Sequence, residues 1–191
     1  MAEWDEVMVD VERSCRERGV PMLGREKAEY LARLLSEKRP RLVVECGTAI
    51  GYSGLWITRA LKRNGEGRLV TLELDPKRAE EARRNFERAG VADLITQYIG
   101  DAKETIRRVE GEVDFLLLDN NYENYLPCFR GIEDRLADGA LIVADNVGIG
   151  EAEMKDYLDL VRGSYPSETV WFDVDLPWLT RDAMEITIFK R

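Results

Sequence analysis

The sequence predicts one α/β domain: a doubly wound, mostly parallel sheet of seven strands with an antiparallel hairpin at its C-terminal edge. Short apolar runs alternate with amphipathic helical stretches from residue 41 onward, as expected of parallel strands that are covered on both faces. The last two runs have no helix between them and should pair antiparallel. The 191 residues contain no repeat and no long linker, so we expect residues 1–191 to form a single domain.

Helical periodicity marks the N-terminal segment, residues 1–39. Apolar residues recur at helical spacing from Trp4 to Cys15 and again from Ala28 to Leu35. A turn over residues 19–24 separates the two stretches. We therefore expect two helices before the sheet begins.

Apolar runs and helical faces then alternate along the chain. The seven predicted strands are residues 42–46, 69–74, 95–99, 113–118, 140–144, 169–174 and 184–189. A helix is predicted over residues 76–89, because Pro76 suits a first turn and Gly90 ends the pattern. Two further helical faces run from Tyr125 to Leu136 and from Met154 to Val161.

Composition restricts the class of protein. Its 45% hydrophobic and 34% charged residues fit a globular domain and exclude a disordered chain. No apolar run approaches the roughly 18 residues of a membrane span, and the acidic N-terminus lacks a signal pattern. The three cysteines are widely spaced, which favours buried thiols in a reducing compartment. We therefore expect a cytoplasmic protein without a membrane partner.

Two counts restrict the chemistry. The chain has no histidine, which excludes Ser-His and Cys-His nucleophiles, histidine general bases and histidine-ligated zinc. Its net charge of −9 argues against broad binding to the phosphate backbones of nucleic acids. The net charge does not exclude a local basic patch that binds nucleic acid.

A glycine-containing loop follows the first predicted strand and leads into a helix. Gly47 and Gly51 allow a tight turn and the close approach of a ligand, but their GxxxG spacing is not the GxGxxG of dinucleotide sites. Glu73 ends the second strand, where a carboxylate accepts hydrogen bonds from both hydroxyls of a ribose. Together they favour a nucleoside site over an ordinary turn. Asp101, after the third strand, could receive an adenine amino group or simply cap the next helix.

Hard oxygen donors follow the fourth and fifth predicted strands. Asp119 comes after one strand, and Asp145 with Asn146 after the next. Because neighbouring parallel strands bring their carboxyl ends together, these side chains should converge. Such a set suits Mg²⁺ and could accept Mn²⁺ or Ca²⁺. The alternative is that all three are turn residues and helix caps.

Short segments also occur in the order of a known family. They are residues 43–47 (VVECG), 51–53 (GYS), 71–76 (TLELDP), 118–119 (LD), 125–127 (YLP), 144–147 (ADNV) and 182–185 (DAME). With these segments the chain resembles the cation-dependent O-methyltransferases typified by catechol O-methyltransferase and caffeoyl-CoA O-methyltransferase, from about Val20 to Phe189. The resemblance implies a Rossmann-like methyltransferase sheet with S-adenosylmethionine as methyl donor.

The resemblance further implies roles for individual residues. Glu73 would hold the ribose, Asp101 would face the adenine, and Glu185 would contact a substrate hydroxyl. The ligands of Mg²⁺ would be Asp119, Asp145 and Asn146. The other residues implied at the cofactor are Met22, Leu23, Glu45, Gly47, Gly51, Tyr52, Ser53, Leu74, Ala102 and, again, Asp119. The helices of residues 1–39 would cover the cofactor and the acceptor.

The chain departs from the family where a lysine acts as general base. Tyr122 stands there, three residues after Asp119, and either serves as base beside the cation or leaves deprotonation to the cation alone. Asn120 and Asn121 replace bulkier or charged residues around the acceptor. Trp178 is a candidate wall of the acceptor pocket, or a contact to a second subunit in a homodimer.

Three functions follow, in order of preference. The first is an O-methyltransferase that acts on a catechol-like vicinal hydroxyl of a small aromatic molecule, with Asp119 and Tyr122 as catalytic residues. The second is a tRNA (hydroxyuridine) O-methyltransferase, which the net charge opposes. The basic residues that favour it lie on one predicted helix face: Lys77, Arg78, Arg84 and Arg88. The third is a non-catalytic protein that binds S-adenosylmethionine.

Overall fold

The computed structural model describes residues 2–191, with side chains from Trp4 onward. The strands are β1 (Leu42–Cys46), β2 (Arg68–Glu73), β3 (Ile95–Ile99), β4 (Val113–Leu118), β5 (Leu136–Ala144), β6 (Ser167–Leu176) and β7 (Leu179–Ile188). The helices are α1 (Ala2–Arg18), α2 (Arg25–Lys38), α3 (Tyr52–Asn64), α4 (Pro76–Arg88), α5 (Ala102–Thr105), α6 (Tyr125–Ile132), α7 (Val147–Gly150) and α8 (Lys155–Ser164).

Within residues 2–191 the strands form one seven-stranded sheet in the order β3-β2-β1-β4-β5-β7-β6. The strands β1 to β5 run parallel to their neighbours, whereas β7 is antiparallel to both β5 and β6. The predicted doubly wound sheet with a C-terminal edge hairpin is confirmed.

Helices cover both faces of the sheet. Helices α1 to α4 pack on one face, against side chains such as Val43 and Phe115. On the other face, α5, α6 and α8 pack against side chains such as Val44 and Leu116. Adjacent residues of a strand point to opposite faces, so a strand covered on both faces is buried along its length, and every residue of β1 is buried, including Glu45.

The register of the parallel strands aligns their carboxyl ends. Cys46 pairs with Leu72 of β2 and with Leu118 of β4, and Leu118 pairs in turn with Ala144 of β5. The four residues that follow these partners therefore form one row across the edge of the sheet: Gly47, Glu73, Asp119 and Asp145. We call this row the rim.

Several boundaries differ from the prediction. Leu136 was expected on a helical face but begins β5, because α6 ends at Ile132 and a short 3-10 turn follows. Both hairpin strands are longer than predicted, and only Pro177 and Trp178 lie between them. The wider loop expected there is therefore a tight turn.

The cysteines and the helices agree with what the composition predicted about thiols and membrane spans. Cys15, Cys46 and Cys128 are buried free thiols. Among residues 2–191, no helix combines the length and apolarity needed to cross a membrane.

Candidate active site

A cavity of about 450 Å³ runs along the rim. It extends from the loop between β1 and α3 to the residues that follow β4 and β5. Most predicted site residues line it: Met22, Gly47, Tyr52, Ser53, Glu73, Leu74, Asp101, Ala102, Asp119, Asn120, Asn121, Tyr122 and Asn146. The nucleoside and cation halves predicted from the sequence thus share one cavity.

Gly47 joins the two halves. Its φ is +101°, and a Cβ atom there would lie 2.0 Å from the carbonyl oxygen of Asp119. Any side chain would collide with the backbone at the end of β4, so the loop approaches Asp119 only because residue 47 is glycine. The Gly47 amide also donates to the Leu72 carbonyl at 2.9 Å, which ties the loop to β2.

Glu73 is fixed by two backbone amides on either side of the cavity. One carboxylate oxygen accepts from the Ala49 amide at 2.8 Å, and the other accepts from the Asp75 amide at 2.9 Å. Each oxygen keeps a lone pair, because a carboxylate can accept about four hydrogen bonds. The side chain is therefore held rigidly in the cavity wall and can still accept from a diol.

Three predicted cofactor residues lie behind the cavity wall. Leu23 is buried in the core next to Met22, and Gly51 packs against the ring of Phe86. Glu45 is fully buried beneath the loop, where Thr71 Oγ1 donates to it at 2.6 Å. These residues shape the loop from behind and do not line the cavity.

Burial raises the pKa of Glu45 to about 7, although the hydrogen bond from Thr71 acts to lower it. One of its oxygens, Oε1, is buried without a hydrogen-bond partner in the described part of the chain. The Glu45 carboxyl consequently holds its proton to higher pH than an exposed glutamate does.

Asp101 caps helix α5, which was one of the two roles expected for it, and it also lines the cavity. Its side chain accepts from the Lys103 amide at 3.2 Å at the start of α5. A salt bridge of 3.2 Å joins it to the Lys103 ammonium. The cap fixes the carboxylate at the wall beside Leu74 and Ala102.

A buried lysine stands behind the cation half. Lys27, from α2, donates to Asp145 Oδ1 at 2.6 Å and to Asp182 Oδ2 at 2.5 Å. The same Asp182 oxygen accepts from Asn146 Nδ2 at 2.9 Å. Lys27 and Asp145 are each only 1% exposed, so Asp145 lies just beneath the cavity surface while Asp119 and Asn146 reach it.

The carboxylates at this point outnumber the cations. Asp119, Asp145 and Asp182 lie around a single ammonium, that of Lys27. Burial raises the pKa of Asp119 well above its usual range, and the neighbouring Asp145 raises it further. Among the described residues no cluster of three His, Cys, Asp or Glu side chains is placed to hold a metal, but the predicted set needs only two carboxylates and the Asn146 amide. The uncompensated charge and the hard oxygens fit a divalent cation.

Tyr122 lies at the cavity wall beside these carboxylates. Burial raises the pKa of its phenol, and Asp182, Asp119 and Asp145 raise it further. Its ring packs closely on α7, since a Cβ atom at Gly150 would lie 2.9 Å from it. The surroundings therefore oppose ionisation of the phenol.

The structure does not bring Glu185 or Trp178 to the cavity. Glu185 is buried on the α8 face of the sheet, where Arg162 Nη2 donates to it at 2.9 Å and Thr169 Oγ1 at 2.6 Å. Strand alternation explains this correction, since Asp182 and Met184 point to the α2 face while Glu185 points away. Trp178 sits in the hairpin turn, 46% exposed.

The basic face on α4 is largely neutralised. Arg88 pairs with Asp10 at 2.7 Å, and Arg84 lies 3.8 Å from Glu80. Arg78 instead lines the cavity near Asp75. Two of the four basic residues of this face, Arg84 and Arg88, therefore have carboxylate partners, which weakens the support for a nucleic-acid substrate.

Sequence reasoning missed Lys27 and Asp182. Lys27 falls on the buried stripe of α2 with Ala28, Leu31 and Leu35. A lysine at a core-facing position was the available signal, because a buried ammonium needs a carboxylate partner. Asp182 gave no comparable signal, since its face depends on the register of the hairpin.

Comparisons with known proteins identify the family of this chain. A family model described as a methyltransferase domain matches residues 44–147. The catechol O-methyltransferase of Niastella koreensis is 32% identical over 149 residues, which are 75% of this chain and 66% of that protein. Catechol O-methyltransferase B of Danio rerio is 32% identical over an alignment of 192 positions, which covers 96% of this chain and 71% of that protein.

A solved structure shows the same fold. The O-methyltransferase TomG of Streptomyces achromogenes, involved in tomaymycin synthesis and solved in complex with SAM, superposes with a TM-score of 0.84. The match covers 97% of this chain and 90% of TomG at 24% identity, and at that identity it shows the fold alone.

The chain therefore belongs to the S-adenosylmethionine-dependent O-methyltransferase family of the catechol and caffeoyl-CoA O-methyltransferase type, as the sequence segments predicted. It spans slightly less than two thirds of the length of the Niastella koreensis relative.

Proposed function

We propose that this chain transfers the methyl group of S-adenosylmethionine to a hydroxyl of a small phenolic acceptor, with the help of a divalent cation. The observation that carries the proposal is the single cavity that joins Glu73 and Gly47 to Asp119 and Asn146. Family membership supports the reaction, and the names of the catechol O-methyltransferase relatives support the acceptor class.

The cofactor belongs at the end of the cavity formed by the loop and β2. S-adenosylmethionine, when bound, supplies a methyl group on a positively charged sulfur. Glu73 would accept from the ribose hydroxyls, and Asp101 would accept from the adenine amino group. Ser53 lies where the loop enters α3 and would hold the methionine part. Met22, before α2, lines the opposite wall and would limit the access of water.

The cation belongs at the other end. Asp119, Asp145 and Asn146 would hold Mg²⁺, or Mn²⁺ or Ca²⁺, through hard oxygens. Such an ion, when bound, supplies the Lewis acidity that lowers the pKa of an acceptor hydroxyl. An acceptor with two adjacent hydroxyls would present both of them to this end of the cavity. The close contact of Gly47 with Asp119 keeps the two ends near each other, which favours transfer by proximity.

Tyr122 is not the general base in this proposal. Its burial favours the protonated phenol, which can donate a hydrogen bond to an acceptor oxygen but is poorly suited to accept a proton. Activation of the hydroxyl is therefore assigned to the cation.

The test is transfer of a labelled methyl group to a simple catechol. We expect product with Mg²⁺, loss of product with excess chelator, and recovery on adding Mn²⁺. Asp119→Asn should abolish transfer. Asp159→Asn, which removes an exposed carboxylate paired with Lys155 on α8, should leave it unchanged.

Three outcomes would contradict parts of the proposal. Full activity in chelator would exclude the cation. Labelling of bulk tRNA without labelling of catechols would indicate the RNA-modifying alternative. Tight binding of S-adenosylmethionine without transfer to any dihydroxy compound would indicate a non-catalytic binding protein.

A further inference from the structure

Lys27 is a charged group in the interior of the protein. It comes from α2, in the helical layer that covers one face of the sheet, and reaches across to Asp145, which follows β5, and to Asp182 in β7. Burial alone would lower its pKa, but Asp145 and Asp182 outweigh that effect and the pKa lies above its usual value. An ion pair buried this deeply costs desolvation free energy that the attraction only partly offsets, so stability alone does not explain it.

The hydrogen bonds of Asp182 set the orientation of Asn146. An amide side chain has one donating end and one accepting end. Because Nδ2 of Asn146 donates to Asp182, its Oδ1 is the end left for the cavity that Asn146 lines. An amide with the opposite orientation would present hydrogen atoms there, which no cation binds.

The positions of Asp182 and Asn146 leave little freedom. A Cβ atom at Gly148 would lie 2.8 Å from Asp182 Oδ1, so the backbone of α7 packs directly on this carboxylate. Asn146 has a φ of +57°, in the left-handed region that few residues other than glycine and asparagine adopt. Lys27 completes the arrangement, because it occupies Asp145 Oδ1 and leaves Oδ2 available.

We propose that Lys27 and Asp182 are positioning residues, which turn the oxygens of Asp145 and Asn146 toward a divalent cation at the rim. This inference rests on the cation of the proposed function. Neither residue lines the cavity, and Lys27 is 1% exposed, so neither touches the acceptor or the cofactor. They act by orienting the two ligands that lie between them and the cavity.

Lys27 could act on the cation through its charge or by orienting Asp145, and the two roles predict opposite effects of its substitution on cation binding. If its charge alone mattered, Lys27→Met would remove a repelling ammonium and tighten the binding of a dication. If it orients Asp145, the same substitution frees that carboxylate and weakens binding. For Asp182, loss of charge predicts equal effects of Asn and Leu, whereas loss of orientation predicts that Asn retains binding and Leu does not.

The experiment measures Mn²⁺ binding to the full chain by the electron paramagnetic resonance signal of free Mn²⁺. We expect one site in the unsubstituted protein and affinity lower by about 10- to 100-fold in Lys27→Met and Asp182→Leu, as for other partners that orient metal ligands. Asp182→Asn, which keeps an acceptor oxygen, should bind more tightly than Asp182→Leu.

Two controls separate orientation from damage to the fold. Lys38→Met removes another lysine of α2, one that donates to the Gly139 carbonyl away from the cavity, and should leave the Mn²⁺ affinity unchanged. Binding of S-adenosylhomocysteine, measured calorimetrically, should persist in the Asp182 variants, because Glu73 and the glycine loop are intact. If Lys27→Met does not fold, the comparison of Asp182→Asn with Asp182→Leu still tests the proposal.

Tighter Mn²⁺ binding in Lys27→Met would overturn the proposal, as would equal affinities for Asp182→Asn and Asp182→Leu. Absence of any Mn²⁺ site in the unsubstituted protein would overturn it too, together with the cation of the proposed function. A normal Mn²⁺ site in every variant would overturn only the positioning role and leave the proposed methyl transfer standing.

Discussion

At the scale of single residues, the site contains two kinds of carboxyl group. One kind is held by backbone amides, and the other has its pKa raised by burial. Glu73 is held by the amides of Ala49 and Asp75, so its geometry is set before any ligand arrives. Glu45 and Asp119 are the opposite case, since burial raises the pKa of both. The protein thus keeps acidic groups in an environment of low dielectric constant, which costs desolvation free energy. Such groups are common at functional sites.

Glu45 makes stability depend on pH in a predictable direction. Its usual pKa is 4.5 and its pKa in the folded protein is about 7, so between these values the folded state holds a proton that the unfolded state has lost. Stability therefore falls as pH rises through this window. Glu45→Gln should be more stable than the unsubstituted protein at pH 8, by up to about 3 kcal/mol, because each pH unit is worth about 1.4 kcal/mol.

Urea unfolding at pH 5 and pH 8 measures this difference. The gain in the free energy of unfolding of Glu45→Gln should shrink toward pH 5. Glu26→Gln, at an exposed position of α2, is the control and should show no such trend. A gain that is the same at both pH values would refute the assignment to Glu45.

Tyr122 gives a second prediction at this scale. Because burial raises the pKa of its phenol, Tyr122→Phe should change turnover little and leave the pH–rate profile in place. Steady-state kinetics with a catechol and Mg²⁺ across pH 6 to 9 would measure this. A fall of about 10²-fold or more, the size expected for loss of a general base, would restore Tyr122 to that role.

At the scale of elements, the parallel strands explain why much of the site could be predicted. Their common register places the residues after β1, β2, β4 and β5 in one rim, so apolar runs in the sequence were enough to bring Glu73, Asp119 and Asp145 together. No such rule links α2 to β7. The face of β7 depends on the tight turn at Pro177 and Trp178, so the apolar pattern could not place Asp182 at the site. Glu185 was expected there only from the family resemblance.

The loop between β1 and α3 gives a prediction at the scale of an element. Gly47→Ala should lower the free energy of unfolding by about 2–4 kcal/mol, because it adds backbone strain to a collision with the Asp119 carbonyl, and should abolish binding of S-adenosylhomocysteine. Gly65→Ala is the matched control, since Gly65 also has a positive φ but meets no atom within 4 Å.

Urea denaturation with calorimetric titration would compare the two variants. The collision predicts a larger loss of stability for Gly47→Ala than for Gly65→Ala. Equal losses would mean that the loop can move away from β4, and that the two halves of the cavity are not held together by this contact.

At the scale of the whole molecule, two helical layers and one sheet edge cooperate. One layer contributes Met22 to the cavity wall and Lys27 to the support of the cation half, while the sheet contributes the rim. Acidic residues outnumber basic ones by 37 to 28, yet the basic face of α4 is paired with carboxylates. Such a surface is poorly suited to a polyanion.

The central claim is that a nucleoside cofactor and a hard dication share the rim. Anomalous diffraction from crystals grown with S-adenosylhomocysteine and Mn²⁺ tests it most directly. We expect one Mn²⁺ peak bounded by Asp119, Asp145 and Asn146, with the ribose of the cofactor on Glu73 in the same cavity. A cofactor bound on Glu73 with no Mn²⁺ peak among those three side chains would contradict the claim.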